Sequence, residues 1–510
     1  MVRLINVYTI SSFIALGGFL AGLDISSMNA IVGTPEYRAY YNNPLGARQG
    51  GITGAIAAGS FAGALCSSLL GDWLSRKVAI QLGTVVWCAG ASLQSASNGV
   101  AMLIVGRIVA GFCIGLTSTL IPIYQSEIAP RKVRGRIVTL YHFGISVGIL
   151  VMYFVQYGCS FLNSQAVFRL PWALQTIPAI LLFFGLLSLP RSPRWLASKD
   201  RWDQVLHVLA LLRTPDCNIN DNLVLAEYRE IEEQIRIERE EHSNSYSELF
   251  SKKMRKRVFL GMAVQGFSQL TGVILQLNFT VYVLDSANIP NLLLATSFQY
   301  IIFLIATIPT LLWTDQWGRR PSLLIGSLCL AFWWYLEGFI YARFGQPYPY
   351  PDKPYNWTIV DHPAASRAIQ VCVYLGPASF AMTWGPVQWI YPSEIVPIRI
   401  RAKAVSLSTA TNWVTSFALL MGIVPLARKI SWRNAVFFGC LNVATFICVW
   451  FMVPETKQRT LEEMDELFEH GIPAWRSFTG APYKTSRLDT LAKEIERAKL
   501  SMPRVVPVEI

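Results

Sequence analysis

Asp24 stands inside the apolar stretch Phe19–Ile31, where an ionised carboxylate is costly unless a cation meets it or a proton neutralises it. Its chemistry is that of a proton carrier or of a buried ion pair. A second set of charges recurs at fixed spacing. Tyr124-Gln-Ser-Glu-Ile-Ala-Pro-Arg-Lys-Val-Arg-Gly-Arg136 returns as Tyr391-Pro-Ser-Glu-Ile-Val-Pro-Ile-Arg-Ile-Arg-Ala-Lys403, so Glu127 and Arg134 are seven residues apart, as are Glu394 and Arg401. More loosely, Asp72-Trp-Leu-Ser-Arg-Lys77 corresponds to Asp315-Gln-Trp-Gly-Arg-Arg320, which sets Asp72 and Arg76 against Asp315, Arg319 and Arg320. Loops that are merely rich in Arg and Glu do not easily produce one spacing twice at equivalent hydropathy positions, so the chain reads as a duplicated unit. No nucleophile–base constellation, nucleotide loop or metal-ligand spacing is present, and the isolated His residues have no evident partner. This argues against an enzyme and against any bound metal or cofactor.

Composition sets the elements that must position these residues. Of 510 residues, 53% are apolar or aromatic and 15% are charged, and the mean hydropathy is +0.37; soluble domains carry about a quarter charged residues. Apolar runs bounded by charges or turn residues predict twelve membrane-spanning helices, an all-α membrane protein. Six fall near 7–31, 52–71, 78–97, 101–124, 137–158 and 172–190, and six near 258–284, 291–314, 322–344, 366–391, 404–427 and 434–453. The chain thus divides into a first half, 1–190, a linker, 191–257, a second half, 258–453, and a tail, 454–510. The linker's acidic run Glu227–Glu241 and basic cluster Lys252, Lys253, Arg255, Lys256, Arg257 predict a helical, water-exposed cytoplasmic stretch. In the tail, Leu461–Phe468 and Leu488–Leu500 predict amphipathic helices. Most basic clusters, Arg76/Lys77, Arg131/Lys132/Arg134/Arg136, the linker cluster, Arg319/Arg320 and Arg399/Arg401/Lys403, fall on one side of the spans, against Arg428, Lys429 and Arg433 on the other; this places both termini in the cytoplasm. The net charge of +12 reflects these flanks and not a nucleic-acid surface. Nine cysteines, most within apolar runs and without a C-x-x-C pair, read as small hydrophobes. The N-terminus shows no cleavage signal, so the first helix is expected to stay.

Three further motifs join the repeats: Gly106-Arg107 in a glycine-spaced fourth helix, Pro190-Arg-Ser-Pro-Arg-Trp-Leu196 after the sixth, and Pro454-Glu-Thr-Lys457 after the twelfth. With them the chain resembles, over nearly its whole length, the sugar porter family of the major facilitator superfamily, particularly its fungal members. The resemblance implies two six-helix halves around a central cavity that opens alternately to either side. It implies a plasma-membrane carrier that takes up a monosaccharide or related polyol together with protons. Asp24 matches the aspartate of proton-coupled members, and Arg107 the arginine that faces it. Gln269, Trp389 and Asn412 match the family's amide and stacking contacts; amides both donate and accept, and an indole can lie against the C–H face of a sugar. The resemblance also implies a cytoplasmic latch pairing Glu127 with Arg401 and Glu394 with Arg134 across the halves, the alternative being anchoring within each half.

Other positions depart from the family pattern. The helix-five glutamine is His142, the first of the paired helix-seven glutamines is Ser268, the helix-seven asparagine is Ile274, and the aromatic pair of the external gate reads Asn278-Phe279. Asn278, one turn beyond Ile274, and Gln276 can carry the polar surface outward. His142 either titrates in the cavity or bonds a neighbouring helix. These departures leave open a nutrient sensor on the same fold, and a symporter of a cyclic polyhydroxy acid such as quinate in which His142 holds the carboxylate. Arg191 stands where the family has glutamate, so that role is not carried over. Asn356-Trp-Thr358 is a glycosylation sequon in the longest external loop. The expected partners are a small sugar or polyol, protons and the lipid bilayer. Nothing sets the oligomeric state, and one chain suffices for the function.

Overall fold

The computed structural model describes residues 7–44, 47–130, 133–214, 216–240, 246–252, 254–348, 356–457, 464, 467–468 and 473–477. Ten helices are long and apolar enough to cross a membrane. The first six spans are Val7–Ser26, Arg48–Leu74, Arg76–Ser95, Val100–Ile128, Arg134–Cys159 and Ala166–Ser188; the seventh to ninth are Arg255–Ser286, Leu292–Trp317 and Arg319–Phe344; the twelfth is Arg433–Met452. The tenth span is Pro363–Met382 continued by Trp384–Glu394, and the eleventh is Ile398–Ile430. Large apolar side chains such as Leu181, Phe184, Ile325 and Phe332 point outward, while hydroxyls and amides lie inside, the inverse of a soluble bundle.

The spans run further than hydropathy alone placed them. The fourth continues to Ile128 and the fifth begins at Arg134, so Glu127 and Arg134 stand on helix ends. Charged residues there lower the local hydropathy, which is why a hydropathy window cuts the helix short.

Two glycine seams hold the first half together. A Cβ at Gly59 or Gly63 would strike the backbone of Ile108 or Phe112, and one at Gly111 or Gly115 would strike that of Ile56 or Ser60. The second and fourth spans therefore press backbone to backbone. Gly18 and Gly22 face Tyr141 and Ile145 of the fifth span, whose Gly144 and Gly148 face Ala15 and Phe19 in return. Such small-residue approach drives helix association where lipid offers no hydrophobic contrast. In the second half two spans are broken instead. The seventh is interrupted at Gly272, with φ of 83°, and leaves helical angles again at Phe279. The tenth is interrupted at Thr383, with φ −129° and ψ −81°.

The described part of the linker is built of separate short helices. It holds three, Pro193–Ser198, Trp202–Arg213 and Asn222–Glu240, packed on a shared cluster that includes Trp195, Leu196, Leu209 and Val224. Arg213 grips Glu227 through two bonds of 2.7 Å and donates to the Ile128 carbonyl at 2.9 Å, tying the linker to the end of the fourth span. Opposite the linker, a two-stranded hairpin pairs Gly345–Pro347 with Trp357–Ile359. The tail helix expected at 488–500 lies outside the described residues, as does 461–468 apart from Met464, Leu467 and Phe468.

Candidate functional site: a closed central cavity

A cavity of about 60 Å³ lies between the halves. The first half lines it with Ala21, Ile25, Tyr141, His142, Ile145 and Ile149, and the second half supplies almost all of its amides. Asn412 of the eleventh span donates to Gln265 Oε1 at 2.7 Å and to Gln388 Oε1 at 3.1 Å. Gln265 Nε2 donates to the Gln388 carbonyl at 2.8 Å, Ser268 donates to Gln388 Oε1, and Gln269 Nε2 reaches Ser268 Oγ at 3.3 Å. The spacing of Gln265, Ser268 and Gln269 puts all three on one helical face. Trp389 meets Tyr141 of the other half edge to face, centroids 5.3 Å apart, and its indole N–H has no partner. The ring of His142 lies between Phe303 and Phe380, with neither nitrogen bonded.

Of the residues expected to touch a ligand, Gln269, Trp389, Asn412 and His142 line this cavity, and Gln276 and Asn278 do not. Asn278 turns back on its own helix, donating to the Ile274 carbonyl at 2.8 Å, and lies beside Asn29, Thr53 and Tyr282 above the cavity. Gln276 points to the opposite side of the seventh span, where its Nε2 meets Glu337 at 3.3 Å. The break at Gly272 and the non-helical Phe279 alter the rotation of this segment, so counting along an unbroken helix misdirects both side chains. The amides at Gln265 and Gln388 were missed. Gln388 sits inside the Trp384–Trp389 motif, and Gln265 one turn before Ser268, so a search of the same helical face would have found the second.

Asp24 and Arg107 meet as an ion pair at 3.5 Å, and the side chains are 1% and 2% exposed. Arg107 shares its donors with Ser27 Oγ at 3.1 Å and the Thr53 carbonyl at 3.5 Å. A charged N–H···O⁻ bond at full strength is about 2.7–2.9 Å, so the hold on Asp24 is loose.

Contacts between the halves flank the cavity on both sides. On the face away from the linker, Asn29 donates to the Leu277 carbonyl and to the Tyr300 hydroxyl, both at 2.8 Å, and Tyr153 donates to the Leu293 carbonyl at 2.8 Å. At mid-depth Trp413 donates to Ser118 at 3.1 Å. On the linker face, Ser406 donates to the Ala64 carbonyl at 2.6 Å, the Arg136 amide to Asp315 at 3.0 Å, and the Arg136 guanidinium to the Leu312 carbonyl at 3.0 Å.

The repeated charges form two equivalent clusters. Arg76 joins Asp72 at 3.1 Å and Glu127 at 3.3 Å; Arg319 joins Asp315 at 3.1 Å and Glu394 at 2.6 Å. The expected pairing of Glu127 with Arg401 is therefore corrected: Glu127 is taken by Arg76 of its own half, and Arg401 makes no ion pair among the described residues. The Glu394 carboxylate is occupied likewise by Arg319 and Thr456 of its own half. Arg401 lies within the fields of Glu127, Glu394, Arg134 and Arg194. Arg320 donates to the Trp450 carbonyl at 3.1 Å.

The symmetry extends to Tyr124, which bonds the Pro190 carbonyl, and Tyr391, which bonds that of Pro454. It fails one residue later. Glu455 accepts from the amides of Arg319 at 2.9 Å and Arg320 at 3.2 Å, capping the ninth span, whereas Arg191 stacks on Trp195 and the third span is capped by Ser75. In the hairpin, Asn356 is half-buried and its Oδ1 accepts from Ser431 at 3.0 Å.

Twelve spans in two halves around a closed polar cavity define a membrane transporter of the major facilitator fold. The model of the family described as "Sugar (and other) transporter" matches residues 10–468, and the chain belongs to that family. It is 43% identical to the MFS glucose transporter mfs1 of Aspergillus flavus over 98% of this chain and 96% of that one. It is 38% identical to a high-affinity glucose transporter of Kluyveromyces lactis, over 94% and 88%. Identity to the high glucose sensor RGT2 of Saccharomyces cerevisiae is 31%, over 89% of this chain and 60% of the sensor. Among solved structures, the proton:xylose symporter XylE bound to 6-bromo-6-deoxy-D-glucose superposes with TM-score 0.76 at 24% identity, covering 91% of this chain and 99% of that one. The inward-open form of the xylose transporter from E. coli, at 24% identity over 90% and 99%, gives 0.67.

Proposed function

We propose that this protein takes up a monosaccharide, glucose first among them, across the plasma membrane by proton symport and alternating access. The observation that carries this reading is the cavity itself: Ser268, Gln269, Gln388 and Asn412 line it together with Trp389, whose N–H is unpartnered, and Gln265 behind them ties Asn412 to Gln388, a set of donors and acceptors matched to hydroxyls and beside a ring that can lie on a C–H face. The relatives named as glucose transporters support the same substrate class. Asp24 takes a proton from the far face, which releases Arg107 to Ser27 and Thr53; losing that proton restores the pair. The linker face is cytoplasmic, since the basic flanks gather there. Contacts on the two faces then open in turn.

Uptake of labelled glucose, xylose, sorbitol and quinate by transporter-deficient cells, with proton influx recorded, tests the proposal. Saturable glucose or xylose uptake accompanied by proton entry is expected. Quinate uptake in their absence would favour the second reading, to which the two unbonded nitrogens of His142 lend themselves. Binding of glucose without uptake would mark a sensor.

A further inference from the structure

A second cavity, about 150 Å³, lies beneath the hairpin between the seventh, ninth, eleventh and twelfth spans. It shares one wall with the central cavity, the segment Val273–Ser286: Ile274 and Leu277 face the centre, whereas Leu275 and Gln276 face the second space. At its floor is Glu337, 5% exposed, whose Oε2 accepts one bond from Gln276 and which no cation neutralises among the described residues. Two further acceptors, Gln276 Oε1 and Asn434 Oδ1, are buried without any donor. Isolated buried acceptors cost free energy until donors reach them. The walls are indoles. Trp334 and Trp357 spend their N–H groups on the carbonyls of Thr271 and Tyr341, at 2.8 and 2.9 Å, so they offer the cavity ring surface and not donors.

We propose that this pocket is a second monosaccharide site, outside the transport path, in which Glu337 accepts two vicinal hydroxyls, Gln276 and Asn434 accept others, and a Trp ring covers the C–H face. A carboxylate between aromatic walls also suits a quaternary ammonium, but that group has no N–H for the two stranded amide oxygens, and a sugar has several O–H groups. Because the Val273–Ser286 segment is common to both cavities and already broken at Gly272, occupancy here bears directly on a wall of the central cavity.

The proposal rests on the reading of the chain as a sugar carrier, and equilibrium binding separates the two. Labelled D-glucose is titrated onto the purified full chain in lipid nanodiscs. Wild type is expected to bind two equivalents; Asn412→Ala loses the central one, and Glu337→Gln, which keeps the shape of the side chain, loses the other. Gln276→Leu serves as a second variant and should lose the same equivalent. One equivalent in wild type, an isotherm unchanged by both pocket variants, or displacement of the second equivalent by choline overturns the proposal. An absence of hexose uptake by wild type, with an isotherm that Asn412→Ala leaves unchanged, instead overturns the transport reading while the loss in Glu337→Gln still stands.

Discussion

Between Phe303 and Phe380 the His142 ring is buried and neither nitrogen has a protein partner, so both are open to a ligand. Ile274 lines the same cavity. Replacing them together, His142→Gln and Ile274→Asn, adds two groups that both donate and accept; at about 0.5–1.5 kcal/mol for each hydrogen bond gained, apparent KM for glucose should fall several-fold in uptake assays. Unchanged kinetics in a folded variant would mean that neither side chain reaches the ligand. Asp24 poses a different test. Its loose 3.5 Å contact to Arg107, with Ser27 and Thr53 as waiting acceptors, lets the carboxylate be neutralised without stranding the guanidinium. Asp24→Asn should therefore abolish accumulation against a gradient and retain counterflow exchange in proteoliposomes; continued accumulation would place the coupling proton elsewhere.

The two halves differ in how their elements are built. Reciprocal glycine contacts lock the first span to the fifth and the second to the fourth, so Asp24 and Arg107 are held on tightly packed rods. The seventh and tenth spans, which carry the amides and Trp389, are broken at Gly272 and Thr383. Gly272 has φ of 83°, and a Cβ there would lie 2.7 Å from Phe438 and 2.8 Å from Trp334. Left-handed backbone costs a non-glycine residue roughly 1–2 kcal/mol before any clash is counted. Gly272→Ala should lower the thermal midpoint of the purified protein and reduce transport. Gly422→Ala, at a position with nothing within 4 Å, should leave the midpoint unchanged or raise it slightly.

At the scale of the molecule, transport requires the contacts on one face to break while those on the other hold. On the linker face Asp315 is the pivot: one oxygen accepts the Arg136 amide of the opposite half, and the other accepts Arg319 of its own. A hydrogen bond to a charged group contributes about 1.5–3 kcal/mol. Asp315→Ala should shift the equilibrium toward the form open to the linker face by roughly tenfold or more, read as faster labelling of a cysteine placed on that face; equal labelling rates would remove Asp315 from the closure.

Hydropathy and the repeated motifs were enough to read twelve spans in two halves and to mark Asp24 as a charge that needs a partner or a proton. The meeting of Asp24 with Arg107, and of Gln269, Trp389, Asn412 and His142 in one region, came from the family resemblance and not from spacing. Helical period failed where the helix itself failed: beyond Gly272, Gln276 turns to Glu337 and Asn278 to its own backbone, and no spacing rule announces the turn. Gln388 completes the amide cluster only because the eleventh span brings Asn412 against the tenth. The partner of Glu127 was likewise beyond the sequence. Arg76, Arg134 and Arg401 all carry the right charge, and which of them reaches the carboxylate depends on how the helix ends pack in the assembled molecule, an arrangement that no sequence spacing records.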